Sequence, residues 1–406
     1  MQEHLKQAVV LAGGKSSRFV PYNSYHSKLA SDLLGKPIIT WTLDTLRASE
    51  VEQIVVVLAA GADKLIKIVE DYQQHHSQLD LNMVVQDKPN GQADAILTAR
   101  DFLAEKFMVI NGSHFDVDQF LSLAGEIETK VGLFSQATDQ PRLYGILEIA
   151  EGRAVGLTEK PDNASIPAQR LVSCYLLSRR FIEFMSQMDS SEYLLESALN
   201  RWMRKELVSV KVIDHNSPSL KYPWHLLDLK NILLDRAELA VSPKASVAKT
   251  AAITGKVHIG PKAVVGDYAV VEGPAFIGAE AVVGRYCTLR GRSVIEAGAE
   301  IQGYGDINNS VLMKDAHVHS GFVGDSIVGE STRIGAGFTT ANKRLDRAAI
   351  TAEIGGRQID TGRAKLGAVI GHQAKIGVKV STMPGVIIAN QVHIYPHQLV
   401  DKNYQS

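Results

Sequence analysis

Two histidines, His317 and His319, stand two residues apart in the stretch DAHVHSGFVGDSIVG. Imidazole titrates near neutral pH, so it is the natural group to take a proton from an attacking amine. A histidine that only satisfies local hydrogen bonds is the structural alternative. Near the start of the chain, LAGGKSSRFVPY (Leu11 to Tyr22) carries Gly13, Gly14, Lys15 and Arg18. Backbone N–H groups of such a loop, with a cation beside them, cradle a polyphosphate. Its spacing is neither GxGxxG nor that of a P-loop, so a loop that simply turns the chain is an equal reading.

A repeat must position the histidines. Written in sixes from Val241 to Leu312, the chain opens every hexad with Val, Ile or Leu, among them Ile253, Ile259, Val265, Val271, Ile277, Val283, Leu289, Ile295, Ile301 and Ile307. The fifth place is mostly small, as at Ala263, Ala269, Ala275, Ala281, Cys287, Ser293 and Ala299. A period of six fits neither a helix nor a strand, so one branched side chain per hexad points into a core that is itself built by stacking. This is the pattern of a β-helix, with three hexads to a triangular coil. A β-sandwich would need period-two alternation instead. After Met313 the hexads slip by three residues, and a charged segment of about 339–363 interrupts them. An insertion in a solenoid maps to a loop thrown out from one corner, commonly on the binding face; a tolerated surface loop is the plainer reading.

Ahead of the repeat, strand-like runs such as QAVVLAGG, QIVVVLAAG and KFMVING alternate with helix-like ones such as ADKLIKIVEDYQQH and GQADAILTARDFLA. This alternation implies βαβ crossovers and a Rossmann-like, mostly parallel sheet with helices on both faces. A hairpin is expected to turn at Glu151-Gly152, and a last helix to lead into the repeat. The expected domains are 1–235, α/β, and 241–406, all-β.

The formal charge of −1 gives no basic excess to attract nucleic acid or an anionic membrane. No run of 18 apolar residues and no cationic leader is present, so the expectation is a cytoplasmic protein. Two distant cysteines, Cys174 and Cys287, are too few for a disulfide framework or a zinc site.

LAGG with Arg18 and Pro21, Lys28 before LLGKPII, GQADAI at Gly91 to Ile96, YG at Tyr144-Gly145, EKP at Glu159 to Pro161 and YPW at Tyr222 to Trp224 follow the order of the sugar-1-phosphate nucleotidyltransferases. With the β-helix appended, the whole chain resembles the bifunctional N-acetylglucosamine-1-phosphate uridylyltransferase and glucosamine-1-phosphate acetyltransferase family, especially its archaeal-type members. The resemblance implies a nucleotidyltransferase fold followed by a left-handed parallel β-helix of hexapeptide repeats. It implies nucleotide and sugar contacts at Gly13, Gly14, Arg18, Gly91, Gln92, Gly145 and Glu159, with Lys28 facing phosphate. In the repeat it implies that His319 is the general base of direct amine attack on acetyl-CoA, that Asn342 contacts the substrate or an intermediate, and that Lys365 and Arg333 contact the phosphate. Phe322 stands where the family has a tyrosine. Ser381, Gly385 and Ala389 fall where the family lines its pantetheine groove.

Two departures bear on metal. The family's first Mg²⁺ aspartate is here Ser113, in INGSHF, and its second is His225, in YPWHLL. Mg²⁺ prefers carboxylate oxygens, so the resemblance carries acetyl-CoA over but no metal site. Asp116 and Asp228, each three residues further on, are the nearby carboxylates. Three readings stay open: an acetyl-CoA-dependent acyltransferase acting on an amino-sugar phosphate, with impaired or altered nucleotidyl transfer; a fully bifunctional enzyme that makes a UDP-sugar from UTP; and a regulatory subunit that only binds a nucleotide sugar. A homotrimer is expected, since three β-helices pack in parallel in similar proteins and closure protects their flat faces.

Overall fold

The computed structural model describes residues 5–87, 89–215, 217 and 219–405, so the first four residues of the expected first domain lie outside it. The chain divides into two compact units, Met1–Lys15 with Ile38–Pro218, and Ser16–Pro37 with Ser219–Ser406.

In the first unit, nine strands form one sheet in the order Asp80–Gln86, Gln53–Ala59, Gln7–Leu11, Lys106–Asn111, Ala168–Ser178, Val131–Thr138, Val208–Val212, Arg153–Glu159 and Gly145–Ala150. The first four are parallel, with Val9 opposite Val55 on one side and Val109 on the other. The near-continuous apolar runs of Gln53–Ala59, Gln7–Leu11 and Lys106–Asn111 fit strands covered on both faces. Ala168–Ser178 runs antiparallel to both Lys106–Asn111 and Val131–Thr138, so the far half of the sheet is mixed. The hairpin turns at Glu151 (φ 49°) and Gly152 (φ 74°). Two left-handed residues in succession match the twist of the flanking strands.

The second unit is a left-handed β-helix whose three faces are parallel sheets of eight, eight and seven strands. The first face runs from Ser246–Val247 to His393–Ile394, the second from Ala252–Thr254 to Leu399–Val400, and the third from Val257–Ile259 to Ile387–Ile388. Early coils pair each residue with the one eighteen places later, as Val247 with Val265 and Val265 with Val283. Hexad openers from Ile259 to Ile307 are all but wholly buried, as are the small fifth-place residues from Ala263 to Ala299. The three-residue slip is not a single break. The inward side chains run Ile307, Leu312, Val318, Val323, Val328 and Ile334, so three steps of five replace three steps of six. Coils shorten accordingly, and His317 pairs with Arg333 sixteen residues on. The strand at His317 is therefore regular. Thr339 and Thr340, expected in the insertion, still belong to a coil strand, Phe338–Thr340. The insertion itself is an antiparallel hairpin of Ile350–Ile354 and Arg357–Arg363.

Two segments expected in the first domain, Ser16–Pro37 and 219–235, group with the coils. Specific polar contacts hold them there. The buried Tyr22 hydroxyl donates to the Ile370 carbonyl at 2.8 Å, and the buried Glu296 carboxylate accepts from Leu34 N at 2.7 Å and Gly35 N at 2.9 Å. On the helix Leu226–Arg236, the fully buried Lys230 donates to Asn231 and Asn309, each at 2.8 Å. Among the described residues, no helix is long and apolar enough to cross a membrane.

Candidate active site

Within the first unit, strand Gln7–Leu11 leads into Gly13 and Gly14. A Cβ at Gly13 would sit 3.1 Å from Gln86 Oε1, and the Gln86 amide donates to Asp94 on helix Gly91–Thr98. Gly91 has φ +85°, and a Cβ there would lie 2.3 Å from the Glu192 carbonyl oxygen, so glycine is required for close backbone approach. Gln92 Oε1 accepts from the Tyr175 hydroxyl at 2.9 Å, a hydroxyl whose pKa is raised chiefly by burial and then by the charge of Glu196. Gly145 pairs with Glu159 across the hairpin, and a Cβ there would meet Glu159 Oε2 at 2.9 Å. Glu159 also pairs with Lys160 at 2.8 Å.

Ser113 is buried just past strand Lys106–Asn111. Asp116, the nearby carboxylate, is buried and already occupied. Its Oδ1 lies 3.2 Å from His114 Nδ1 and its Oδ2 3.0 Å from His215 Nε2, with Phe120 edge-on to both rings. Burial opposes its charge, but the hydrogen bonds from His114 and His215 outweigh that and hold the carboxyl well below the usual range.

In the second unit, the Lys28 ammonium donates to the Leu220 carbonyl at 2.5 Å; burial and then the Arg18 charge pull its pKa down to about 8. His225 packs edge-on against the stacked Tyr222 and Trp224 rings, and its Nδ1 accepts from Lys221 N at 3.1 Å. Enclosure, then the Lys221 charge, push its pKa down to about 3. Both oxygens of Asp228 accept from Arg363 Nη1, at 2.7 and 2.9 Å. Neither metal position carries a carboxylate, and both nearby carboxylates are committed to protein cations or imidazoles. A hydroxyl, an enclosed imidazole and two carboxylates already bound within the protein do not fit the Mg²⁺ that the resemblance implies.

The neutral His225 gives a pH expectation. Its folded pKa lies below the ordinary 6.5, so it contributes stability above 6.5 that is lost as pH falls toward 3. Glu296, pushed up to about 8 by burial and by Asp32, works in the opposite sense and is most stabilising below its ordinary 4.5. His225→Asn keeps an acceptor for Lys221 N and should flatten the loss of urea stability between pH 6.5 and 4 relative to wild type. An unchanged slope would count against a neutral, enclosed imidazole.

The coils hold His319, Arg333, Asn342 and Lys365. His319 leaves the first face at its corner with the second, just after strand His317–Val318. It lines a cavity of about 490 Å³ with His317, Arg333, Lys375, His393 and Tyr395. His317 Nε2 lies 3.7 Å from Glu300. Arg333, Lys375 and His393 are exposed. Asn342 and Lys365 lie at another corner, between the second and third faces, at the base of the inserted hairpin, where Asn342 O accepts from Leu366 N. Asn342 Nδ2 donates to Asp325 at 2.6 Å, and Asp325 also accepts from Asn309, the partner of Lys230. The Phe322 ring and the Asn342 amide meet over Gly324, where a Cβ would lie 2.5 and 2.9 Å from them. Ser381 sits outward on the second face, in register with Thr339. Gly385 is buried under the hairpin, with Thr351 O 2.5 Å from where its Cβ would be. Ala389 lies at the corner between the third and first faces. One chain brings His319 together with Arg333 at the cavity, and Asn342 together with Phe322 over Gly324, beside the segment that carries Lys365. Lys375, His393 and Tyr395 were not foreseen. Their signal was available: His317, Arg333, Lys375 and His393 each immediately precede an inward Val or Ile on the same face.

Known proteins are similar to this chain. The nucleotidyl transferase family model matches residues 7–224. A bifunctional protein GlmU of Methanococcus maripaludis is 32% identical over 408 residues, spanning 98% of this chain and 95% of the relative. A bifunctional sugar-1-phosphate nucleotidylyltransferase/acetyltransferase of Sulfurisphaera tokodaii is 27% identical over 98% of both chains. A crystal structure from Bacillus anthracis, described as a glucose-1-phosphate thymidylyltransferase, superposes with a TM-score of 0.51 at 17% identity, covering 58% of this chain and 97% of the other.

Proposed function

This chain belongs to the nucleotidyl transferase family, in the branch of the bifunctional GlmU proteins, and from that premise we propose that its coils transfer an acetyl group from acetyl-CoA to the amine of an amino-sugar 1-phosphate. The observation that carries this reading is His319 at the rim of a cavity that also holds Arg333. The amine attacks the thioester carbonyl, the N–C bond forms as the C–S bond breaks, and His319 takes the amine proton and returns it to the departing sulfur. No acyl-enzyme is needed. Arg333 supplies charge for the acceptor phosphate, and Asn342, its amide held by Asp325, keeps its side-chain oxygen for a ligand. Thiol release from acetyl-CoA, measured with glucosamine 1-phosphate and galactosamine 1-phosphate, tests the reading. Absence of transfer to any amino sugar overturns it.

For the first unit we propose impaired or altered nucleotidyl transfer, on the strength of Ser113 and His225 and of the commitments of Asp116 and Asp228. The family match over residues 7–224 favours the other reading, a fully bifunctional enzyme that uses UTP and a sugar 1-phosphate. Pyrophosphate release separates the two.

We further propose a homotrimer. His319, Asn342 and Ala389 lie on three different corners of the coil, so a site that used all of them would be completed by neighbours. A closed three-fold ring of parallel coils brings unlike corners together. Light scattering at micromolar concentration should give three chain masses, and a single chain mass sinks the proposal.

A further inference from the structure

Lys230 is fully buried, yet it has no place in the acyl-transfer chemistry proposed for the coils. It lies on helix Leu226–Arg236, ahead of the repeat, and its ammonium meets the coils at the corner between the second and third faces. There it donates to Asn309 Oδ1 at 2.8 Å, and Asn309 Nδ2 donates to Asp325 Oδ1 at 2.5 Å. Asp325 Oδ2 in turn accepts from Asn342 Nδ2 at 2.6 Å. The four side chains form one file that ends at Asn342. Asn309 and Asp325 follow the paired residues Asn308 and Gly324, so they hold equivalent places on successive coils, and both have φ 49°. Asparagine and aspartate tolerate that left-handed backbone better than most side chains.

Donor and acceptor chemistry fixes the direction of the file. An ammonium has donors only, so Asn309 turns its oxygen to Lys230 and its NH₂ to Asp325. An ionised carboxylate has acceptors only, so Asn342 also turns its NH₂ to Asp325. The Asn342 oxygen is then left as an acceptor for an N–H or O–H of a bound molecule. Asp325 is 3% exposed, and its two side-chain oxygens accept from neutral amides. A buried carboxylate is costly unless an opposite charge answers it, and Lys230 stands one amide away. Other contacts anchor the helix at this corner: Arg292 donates to Asn231 O at 2.6 Å and pairs with Asp235 at 2.6 Å.

Resting on the acyl-transfer reading, we propose that Lys230 and Asn309 are positioning residues for that reaction: through Asp325 they hold the Asn342 amide with its oxygen toward the substrate. Neither touches substrate itself. Substitutions that redirect the file then have opposite and specific effects. With Asp325→Asn, Asn309 still gives its oxygen to Lys230 and its NH₂ to the oxygen of the new amide, whose own NH₂ turns to Asn342 and reverses it. Asn309→Asp sets two carboxylates against each other. The reciprocal exchange, Asn309→Asp with Asp325→Asn, restores the direction: the carboxylate accepts from Lys230 and from the amide at 325, and the oxygen of that amide accepts from Asn342.

The test uses the full-length protein with Asn309→Asp, Asp325→Asn, the reciprocal exchange and Lys230→Met. Leu233→Ala, which truncates a buried side chain of the same helix outside the file, is the comparator. Initial rates are measured with glucosamine 1-phosphate at saturating acetyl-CoA, and melting temperatures at one protein concentration. Each single change in the file should lower kcat/KM about tenfold, the effect of one misdirected hydrogen bond. The reciprocal exchange should return to within about twofold of wild type, and Leu233→Ala should lower the melting temperature with kcat/KM also within about twofold. In an Asn342→Ala background, Lys230→Met should cause no further loss, since the file acts through Asn342. Wild-type rates in both single exchanges, a reciprocal exchange as slow as the singles, or a full additional loss from Lys230→Met in the Asn342→Ala background would each overturn the proposal. If Lys230→Met fails to fold, the single and reciprocal exchanges, which leave the lysine in place, decide the matter. No transfer by the wild type overturns the acyl-transfer reading and this proposal with it, whereas an active wild type with rate-neutral exchanges overturns the proposal alone.

Discussion

Replacing His319 by alanine is expected to lower turnover of glucosamine 1-phosphate or galactosamine 1-phosphate acetylation by about 10² to 10⁴-fold, the usual contribution of a positioned general base, while leaving CoA binding nearly intact. Two features of the residue support the proposed role. Its backbone N–H is tied to the Ile334 carbonyl at 2.9 Å, which fixes its place on the coil. Its side chain is exposed at the cavity, and among the described residues its ring makes no hydrogen bond to protein, so both nitrogens are left for substrate.

His317 supplies the contrast. A loss of strand regularity at the phase slip would make its role one of folding. The strand is in fact regular, pairing Glu300 with His317 and His317 with Arg333, and the ring is half-buried beside Glu300. His317→Ala should therefore cost less than tenfold in turnover and little in melting temperature, since it forfeits one partly exposed imidazole–carboxylate contact. Wild-type activity that survives His319→Ala unchanged would falsify the assignment. Loss of equal size in both variants would point to the cavity's charge and not to one base.

The coils were legible in the sequence because each inward position draws on the same few side chains. A Val at 265, 271 or 283 and an Ile at 259, 277 or 295 leave a period that survives without any knowledge of pairing. The slip was legible as an offset but not as three short steps, since Leu312 and Val323 come one residue early and look like ordinary strand residues until register is known. Segments 16–37 and 219–235 could not be assigned from pattern. What ties them to the coils is a handful of polar contacts, Tyr22 to Ile370, Glu296 to Leu34 and Gly35, Lys230 to Asn309, between residues up to 348 positions apart. The same holds for Asp116. Its neighbour His114 is in plain view, but His215 lies 99 positions on and nothing in its surroundings marks it as a partner. His319 and Asn342 were named through short motifs, yet their positions at different corners depend on how many strands separate them within a coil.

Pyrophosphate release from UTP with glucose 1-phosphate or N-acetylglucosamine 1-phosphate is expected to stay at background, with or without Mg²⁺. Phosphoryl chemistry of this kind depends on placed charge more than on covalent steps, and metal ions supply much of that charge. Ser113 offers a neutral hydroxyl, and His225 is a neutral ring whose Nδ1 is already taken by Lys221 N. Asp116 would have to give up His114 and His215 to bind a cation, leaving a buried cluster with its hydrogen bonds broken. Asp228 would have to release Arg363, whose guanidinium holds both of its oxygens. Arg363→Ala frees that carboxylate without touching the first unit, and should still give no Mg²⁺-dependent turnover, because one carboxylate does not make the site. Nucleotide binding is a separate matter. Weak UTP binding through the Gly13-Gly14 loop or through Arg18, seen as a small rise in melting temperature, is compatible with absent chemistry. Robust Mg²⁺-dependent turnover by the wild type would overturn the expectation, and its loss in Asp116→Asn or Asp228→Asn would identify which carboxylate leaves its protein partners to take the metal.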